Sequence, residues 1–142
     1  MNCVVQSVAE LFPNCDYDKF PERKSGYSLC DIQRMIPEKY SVYVLLSNYR
    51  HIIKSDFDNI TISLLVYSDI VIPLFMFTKT HCFIVYYDPE QNTIYKSENK
   101  QQYAIQSFFE QHLIYQIACI TSYDDYSILI QDKKNHLNEL SR

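Results

Sequence analysis

The sequence predicts an α+β domain in which N-terminal helices pack on an antiparallel sheet. Apolar residues recur at helical spacing near the N-terminus, whereas β-branched and aromatic runs separated by polar turns dominate from residue 40 onwards. One further helical pattern lies among the later strands. Helices and strands that do not alternate regularly favour an antiparallel sheet. We expect one domain over residues 1–131, followed by a polar tail over residues 132–142.

Two short helices are predicted before residue 40. The first covers residues 2–12, where Asn2 is a suitable cap. Its apolar positions are Val4, Val5, Val8, Leu11 and Phe12. The second begins at Ser28, because Asp31 stands three residues later and the two side chains can cap the first turn together.

The predicted strands are short runs of β-branched and aromatic residues bounded by turn formers. They cover residues 40–47, 70–77, 81–87, 93–96, 118–122 and 126–131. Residues 88–92 have turn chemistry, so residues 81–96 form a predicted hairpin. Residues 60–67 are apolar and are compatible with either a strand or a helix.

A later helix is predicted over residues 101–115. Its inner face carries Ile105, Phe108, Phe109 and Leu113. We expect His112 to flank this apolar face or to be solvated, because no partner for it can be named from the sequence.

Composition excludes several classes of function. The net charge is −4 and no basic block is present, which argues against nucleic acid as a partner. The single glycine, Gly26, excludes a glycine-rich phosphate loop. The five cysteines form no CxxC pair, and Asp124 with Asp125 supplies too few ligands for a cation. We therefore expect no metal site and no cofactor.

Targeting signals are also lacking from the sequence. No apolar run reaches the ~18 residues of a membrane-spanning helix, and no basic segment followed by an apolar stretch opens the chain. We expect a cytoplasmic protein without a membrane span, in which the cysteines are free thiols.

The candidate catalytic residues are Cys3, His81 and Glu98. Cys3 opens the first helix, His81 opens a central strand, and Glu98 comes at the end of the next strand. A helix N-terminus favours a thiolate, an imidazole can exchange a proton with it, and a carboxylate can fix the imidazole tautomer. Ser97 and Asp88 remain alternatives to Glu98 as the residue that orients the ring, although a turn role suits Asp88 better.

Strand alternation separates His81 from the next residue, Cys82. The pattern places His81, Phe83 and Val85 on one face of the strand, and Cys82 on the other. We therefore expect Cys82 to belong to the core and not to share a site with His81.

The order of these residues resembles that of the papain-like cysteine peptidases. Within that group the chain is similar to the double-glycine-leader peptidases, which process bacteriocins and are found at the N-terminus of some peptide exporters. The segments that carry the resemblance are GYSLCDIQRMI, IVIPLFMF, THCFIVYYD, NTIYKSEN and IQSFFEQHL. The resemblance implies a papain-like fold with Cys3 as nucleophile, His81 as base and acid, and Glu98 as orienting residue. It implies a peptide substrate with small residues, such as a double-glycine leader, and a peptide exporter acting in trans as a partner.

The sequence departs from this family around the nucleophile. The family has Asp-Cys-Gly where this chain has Asn2, Cys3 and Val4. We also expect no counterpart of the family's oxyanion Gln, which stands several residues before the cysteine. Losing such a donor costs about 10²–10³ in rate. Two functions are therefore open: an active cysteine peptidase or acyl-transfer enzyme, and a catalytically inactive peptidase-like module that binds a peptide or protein. A third interpretation is a small interaction protein unrelated to peptidases.

Overall fold

The structure, a computed structural model, describes residues 3–64 and 73–122 together with Asp124. This part of the chain contains four helices and a six-stranded sheet. The helices are α1 (Cys3–Leu11), α2 (Leu29–Ile32), α3 (Lys54–Leu64) and α4 (Ile105–Gln111). The strands are β1 (Tyr40–Ser47), β2 (Leu74–Phe77), β3 (Cys82–Asp88), β4 (Thr93–Lys96), β5 (Gln101–Ala104) and β6 (Gln116–Ser122). The predicted α+β class is confirmed.

The sheet is antiparallel throughout, with the strand order β1-β6-β2-β3-β4-β5. Phe77 of β2 pairs with Cys82 of β3, so the turn over residues 78–81 lies at one end of β3. Lys96 of β4 pairs with Val85, and the chain beyond Lys96 therefore runs back towards that same end. This register brings the residues after β4 close to the residues before β3.

Each face of the sheet carries its own apolar core. Residues alternate across β3, as the two-residue period of a strand requires. Cys82 and Ile84 pack with α1 and α2, whereas Phe83 and Val85 pack with α3 and α4. The candidate site lies where the first of these faces meets the turn before β3.

Most of the predicted elements are confirmed within the described residues. Strand β1 covers the predicted residues 40–47, and the predicted hairpin is formed by β3 and β4. The described part of the ambiguous segment 60–67, up to Leu64, is helical and belongs to α3, and residues 65–67 lie outside the described residues. Ser28 caps α2 together with Asp31, as the sequence predicted, although the helix spans only four residues.

The prediction of one helix over residues 101–115 is wrong at both ends. Residues 101–104 form strand β5, which pairs with β4, and Lys100 turns the chain between these strands with a φ of 57°. Pairing with a sheet edge outweighs the weak helical preference of this segment, because strand pairing is set by tertiary context. Leu113 lies beyond α4 and is 54% exposed, so it does not share the buried face of Phe108.

Several sequence predictions lie outside the described residues. These are the cap at Asn2, the start of the strand predicted over 70–77, the strand over 126–131 and the polar tail over 132–142. Within the described part of the chain, every helix is too short or too polar to cross a bilayer.

Candidate active site

His81 is held at the start of β3 by a side-chain turn. Its backbone N–H donates to Oγ1 of Thr78 at 3.0 Å, and its carbonyl accepts from the Thr78 N–H at 2.9 Å. The N–H of Thr80 also donates to Oγ1 of Thr78, at 3.3 Å. Thr78, at the first position of the turn, thus accepts hydrogen bonds from backbone N–H groups that are not paired between β2 and β3. The backbone of His81 is therefore well positioned.

The imidazole of His81 contacts the carboxylate of Glu98. Nε2 lies 2.7 Å from Oε1, within the range of a charge-assisted hydrogen bond. The Ser97 N–H donates to the carbonyl of Ile84 at 3.1 Å, which extends the β3–β4 pairing beyond Lys96 and carries Glu98 towards the ring. With Nε2 donating to the carboxylate, Nδ1 is the ring nitrogen that can accept a proton from a nucleophile.

The two alternatives to Glu98 have other partners. Ser97 donates its hydroxyl to the carboxylate of Glu10 on α1. Asp88 accepts the N–H groups of Glu90 and Gln91 at 3.0 and 3.3 Å, in the turn at the far end of the hairpin. Of the three acceptors that the sequence left open, Glu98 is the one that contacts His81.

A second histidine is linked to Glu98 through Lys96. The Lys96 ammonium lies 3.6 Å from Oε2 of Glu98 and 3.2 Å from Nε2 of His112. Nδ1 of His112 lies 2.9 Å from the carbonyl of Phe108, an arrangement in which it donates and leaves Nε2 as an acceptor. Burial lowers the pKa of His112, and the Lys96 ammonium lowers it further while the Phe108 carbonyl opposes this. The sequence did not predict this link, because its members are brought together only by folding.

Cys3 is the first residue of α1 and shares two cavities with His81. The larger has a volume of about 400 Å³ and the smaller about 180 Å³. Cys3, His81 and Cys82 line both of them, and Glu98 lines the smaller. The hydrogen bonds of the described residues do not include one between the Cys3 sulfur and the imidazole. Cys3, His81 and Glu98 therefore line one cavity, and His81 and Glu98 are hydrogen-bonded to each other.

Cys82 is buried and yet also belongs to this wall. Burial, with a smaller effect of the Cys3 thiol, raises the pKa of Cys82 to about 12, so its thiol stays protonated near neutral pH. The expectation that Cys82 lies in the core is confirmed, since the residue is 2% exposed. That Cys82 and His81 do not easily serve one site stays a prediction. Both residues line the two cavities, but the His81 ring lies 5.8 Å from the Phe83 ring, whereas Cys82 packs with Ile84 on the opposite face.

Three polar residues of α1 were missed by the sequence analysis. Gln6, Ser7 and Glu10 line the smaller cavity beside Cys3. The Ser7 hydroxyl donates to the carbonyl of Cys82 at 3.5 Å, which ties α1 to the start of β3. These positions fall three, four and seven residues after Cys3, so the helical period applied to polar residues could have found them.

No metal centre accompanies this site in the part of the chain that the structure describes, where no cluster of three or more His, Cys, Asp or Glu side chains could hold an ion. Among the remaining cysteines, Cys30 is exposed and Cys119 is buried.

In comparisons with known proteins, no protein-family model, no curated protein and no solved structure matches the chain.

Proposed function

We propose that this protein is a papain-like cysteine peptidase or a related acyl-transfer enzyme. Cys3 is the nucleophile, His81 the general base and acid, and Glu98 the residue that orients the imidazole. The observation that carries the proposal is the 2.7 Å contact between His81 Nε2 and Glu98 Oε1, beside a cavity that Cys3 also lines. A thiol at a helix start, an imidazole and an orienting carboxylate are the components that nucleophilic cysteine catalysis requires.

The proposed reaction begins with transfer of the Cys3 thiol proton to Nδ1 of His81. The sulfur then attacks the carbonyl carbon of the substrate, and the imidazolium returns the proton to the departing amine as the C–N bond breaks. Water attacks the resulting thioester with His81 as base, which releases the acid and restores the thiol. The amide of Gln6, which lines the smaller cavity, is the side chain proposed to donate to the developing oxyanion.

The proposed substrate is a peptide with small residues at the cleaved bond, as in a double-glycine leader. Support for this substrate comes from the order of the family-like segments in the sequence. The same resemblance supports a peptide exporter as the partner that presents such a leader in the cytoplasm.

The first test compares the reactivity of Cys3 and Cys30. Iodoacetamide at pH 7, with modification followed by peptide mass mapping, is expected to alkylate Cys3 faster than Cys30. Cys30 is the exposed thiol, whereas Cys3 is partly buried, so exposure alone predicts the opposite order. A Cys3 that reacts no faster than Cys30 would overturn the proposal.

The second test separates an enzyme from an inactive module. Cys3→Ala is expected to abolish cleavage of a double-glycine leader peptide, and Cys30→Ala is expected to leave cleavage intact. An inactive peptide-binding module predicts instead that wild type cleaves nothing while wild type and Cys3→Ala bind the peptide equally well.

A further inference from the structure

The two cavities beside Cys3 and His81 carry opposite charges. Among its described residues, the larger cavity is lined by Lys24 and Lys79 and by no Asp or Glu. The smaller cavity is lined by Glu10 and Glu98 and, among the described residues, by no Lys or Arg. Charges that line a concave surface act together on a bound ligand.

The two lysines stand on separate segments that face the larger cavity. Lys79 lies in the turn that positions His81, and its ammonium lies 5.3 Å from the centre of the Tyr115 ring. Lys24 lies in a turn closed by a hydrogen bond from the Gly26 N–H to the Arg23 carbonyl, at 3.0 Å. Gly26 has a φ of 66°, a conformation that glycine adopts without steric cost.

The turn that carries Lys24 is held by its neighbours. The Arg23 guanidinium donates to the Gly26 carbonyl at 2.8 Å and to the Asp31 carboxylate at 3.2 Å. It also lies 4.1 Å from the centre of the Tyr27 ring. Asp31 is thus paired with Arg23, and the Lys24 side chain belongs to the cavity wall.

The start of α1 adds to the positive character of the larger cavity. Cys3 and Val4, the first residues of this nine-residue helix, form part of its wall. A helix N-terminus carries a partial positive charge that favours anions nearby. Three separate segments therefore contribute positive potential to one side of the Cys3–His81 pair, while carboxylates line the other side.

We infer that the larger cavity binds a carboxylate of the substrate, so that the acyl substrates of Cys3 are acidic peptides with an Asp or Glu side chain, or a C-terminal carboxylate, on one side of the reacting bond. This inference rests on the proposed function and adds a charge preference to it. A neutral double-glycine segment with acidic residues on one side satisfies both.

The test measures binding to the Cys3→Ala protein, so that turnover is not needed. The probes are rhodamine-labelled peptides with a Gly-Gly centre that carry two Asp residues before or after it, and matched peptides with Asn in place of Asp. A third pair compares a free with an amidated C-terminus and separates the two sources of carboxylate. Fluorescence anisotropy is expected to show ~3–10-fold tighter binding of one acidic form, the range that two solvent-accessible charge pairs provide.

The matched variants are Lys24→Gln with Lys79→Gln, and Lys39→Gln as the control. Lys39 is exposed and lies outside the described lining of both cavities. The double variant is expected to remove the preference, and Lys39→Gln is expected to keep it. Equal binding of every acidic peptide and its neutral match, or a preference that survives the double variant, would overturn the inference. Peptide binding to Cys3→Ala does not need the thiol. The charge preference can therefore be absent while Cys3 is still alkylated fast, and it can be present while Cys3 is alkylated slowly.

Discussion

Two histidines lie beside the ring of Phe83, with 5.8 Å between ring centres for His81 and 5.7 Å for His112, and they have opposite surroundings. His81, on the side where the chain turns into β3, is 39% exposed and contacts the Glu98 carboxylate. His112, on the α4 side, stacks on Phe108 with 4.4 Å between ring centres and contacts the Lys96 ammonium. One ring is solvent-accessible with an anionic partner, and the other is packed with a cationic one. Neighbouring residues, and not residue type, therefore decide which histidine has an accessible ring with an anionic partner.

The two sides are joined by one short link. Lys96 lies between Nε2 of His112 and the carboxylate of Glu98, and its ammonium lies 4.4 Å from the centre of the Phe83 ring. The Lys96 ammonium therefore contacts both His112 and the carboxylate that contacts His81. The variants below test how far the two sides act separately.

His81→Gln is expected to have the largest effect on chemistry and little effect on stability. Loss of the proton carrier should lower peptide turnover by ~10²–10⁴-fold, and should slow the alkylation of Cys3 at pH 7. The free energy of unfolding should stay within about 0.5 kcal/mol of wild type, because the side chain lies at the surface. His51→Gln, at an exposed histidine, is the control for both measurements. Unchanged turnover in His81→Gln would remove the distinction between the two histidines.

Phe108→Ala is expected to have the largest effect on stability. Phe108 is fully buried and packs against Phe83, Tyr103 and His112. Urea denaturation should show a loss of about 3–5 kcal/mol in the free energy of unfolding. Leu113→Ala is the control and should cost less than about 0.5 kcal/mol, because Leu113 is 54% exposed. Equal losses in the two variants would contradict the packed α4 side described above.

The free energy of unfolding should depend on pH through His112. Burial lowers the pKa of His112 in the folded state, so below about 6.5, the ordinary pKa of histidine, the unfolded chain binds a proton that the folded chain resists. The contribution of His112 to the free energy of unfolding is complete above the pKa of the unfolded chain. It is lost as the pH falls towards the lower pKa that His112 has in the folded state. Unfolding free energies at pH 5 and pH 8 should therefore differ more in wild type than in His112→Gln, which cannot titrate. The same pH dependence in both proteins would rule out this contribution.

Lys96→Met is expected to have the smallest effect, and it tests the link itself. Removing the ammonium should raise the pKa of His112 towards its ordinary value, because Lys96 is one of the groups that lower it. An NMR titration of the imidazole resonances measures this shift. Lys79→Met removes a lysine that is not among the groups acting on His112 and should leave the pKa of His112 unchanged. An unchanged pKa of His112 in Lys96→Met would show that the ammonium does not act on this ring.

Local patterns predicted the elements that residue spacing and turn chemistry specify by themselves. Strand β1 and the β3–β4 hairpin follow from β-branched runs and a polar turn, and α1 follows from its apolar spacing. Residues 101–104 were predicted as helix because their preference for a strand comes only from pairing with β4. The sequence likewise named Glu98 as a candidate, but only the pairing of Ser97 with Ile84 separates it from its alternatives.

The α+β class, the apolar periods of the main elements and the order of Cys3, His81 and Glu98 along the chain follow from the sequence alone. Three features depend on tertiary contacts: the contact between Glu98 and His81, the link from Glu98 through Lys96 to His112, and the difference in charge between the two cavities. The physical reason is range. Periodicity and turn chemistry act between residues a few positions apart, whereas hydrogen bonds and cavity walls join residues that strand register and helix packing bring together.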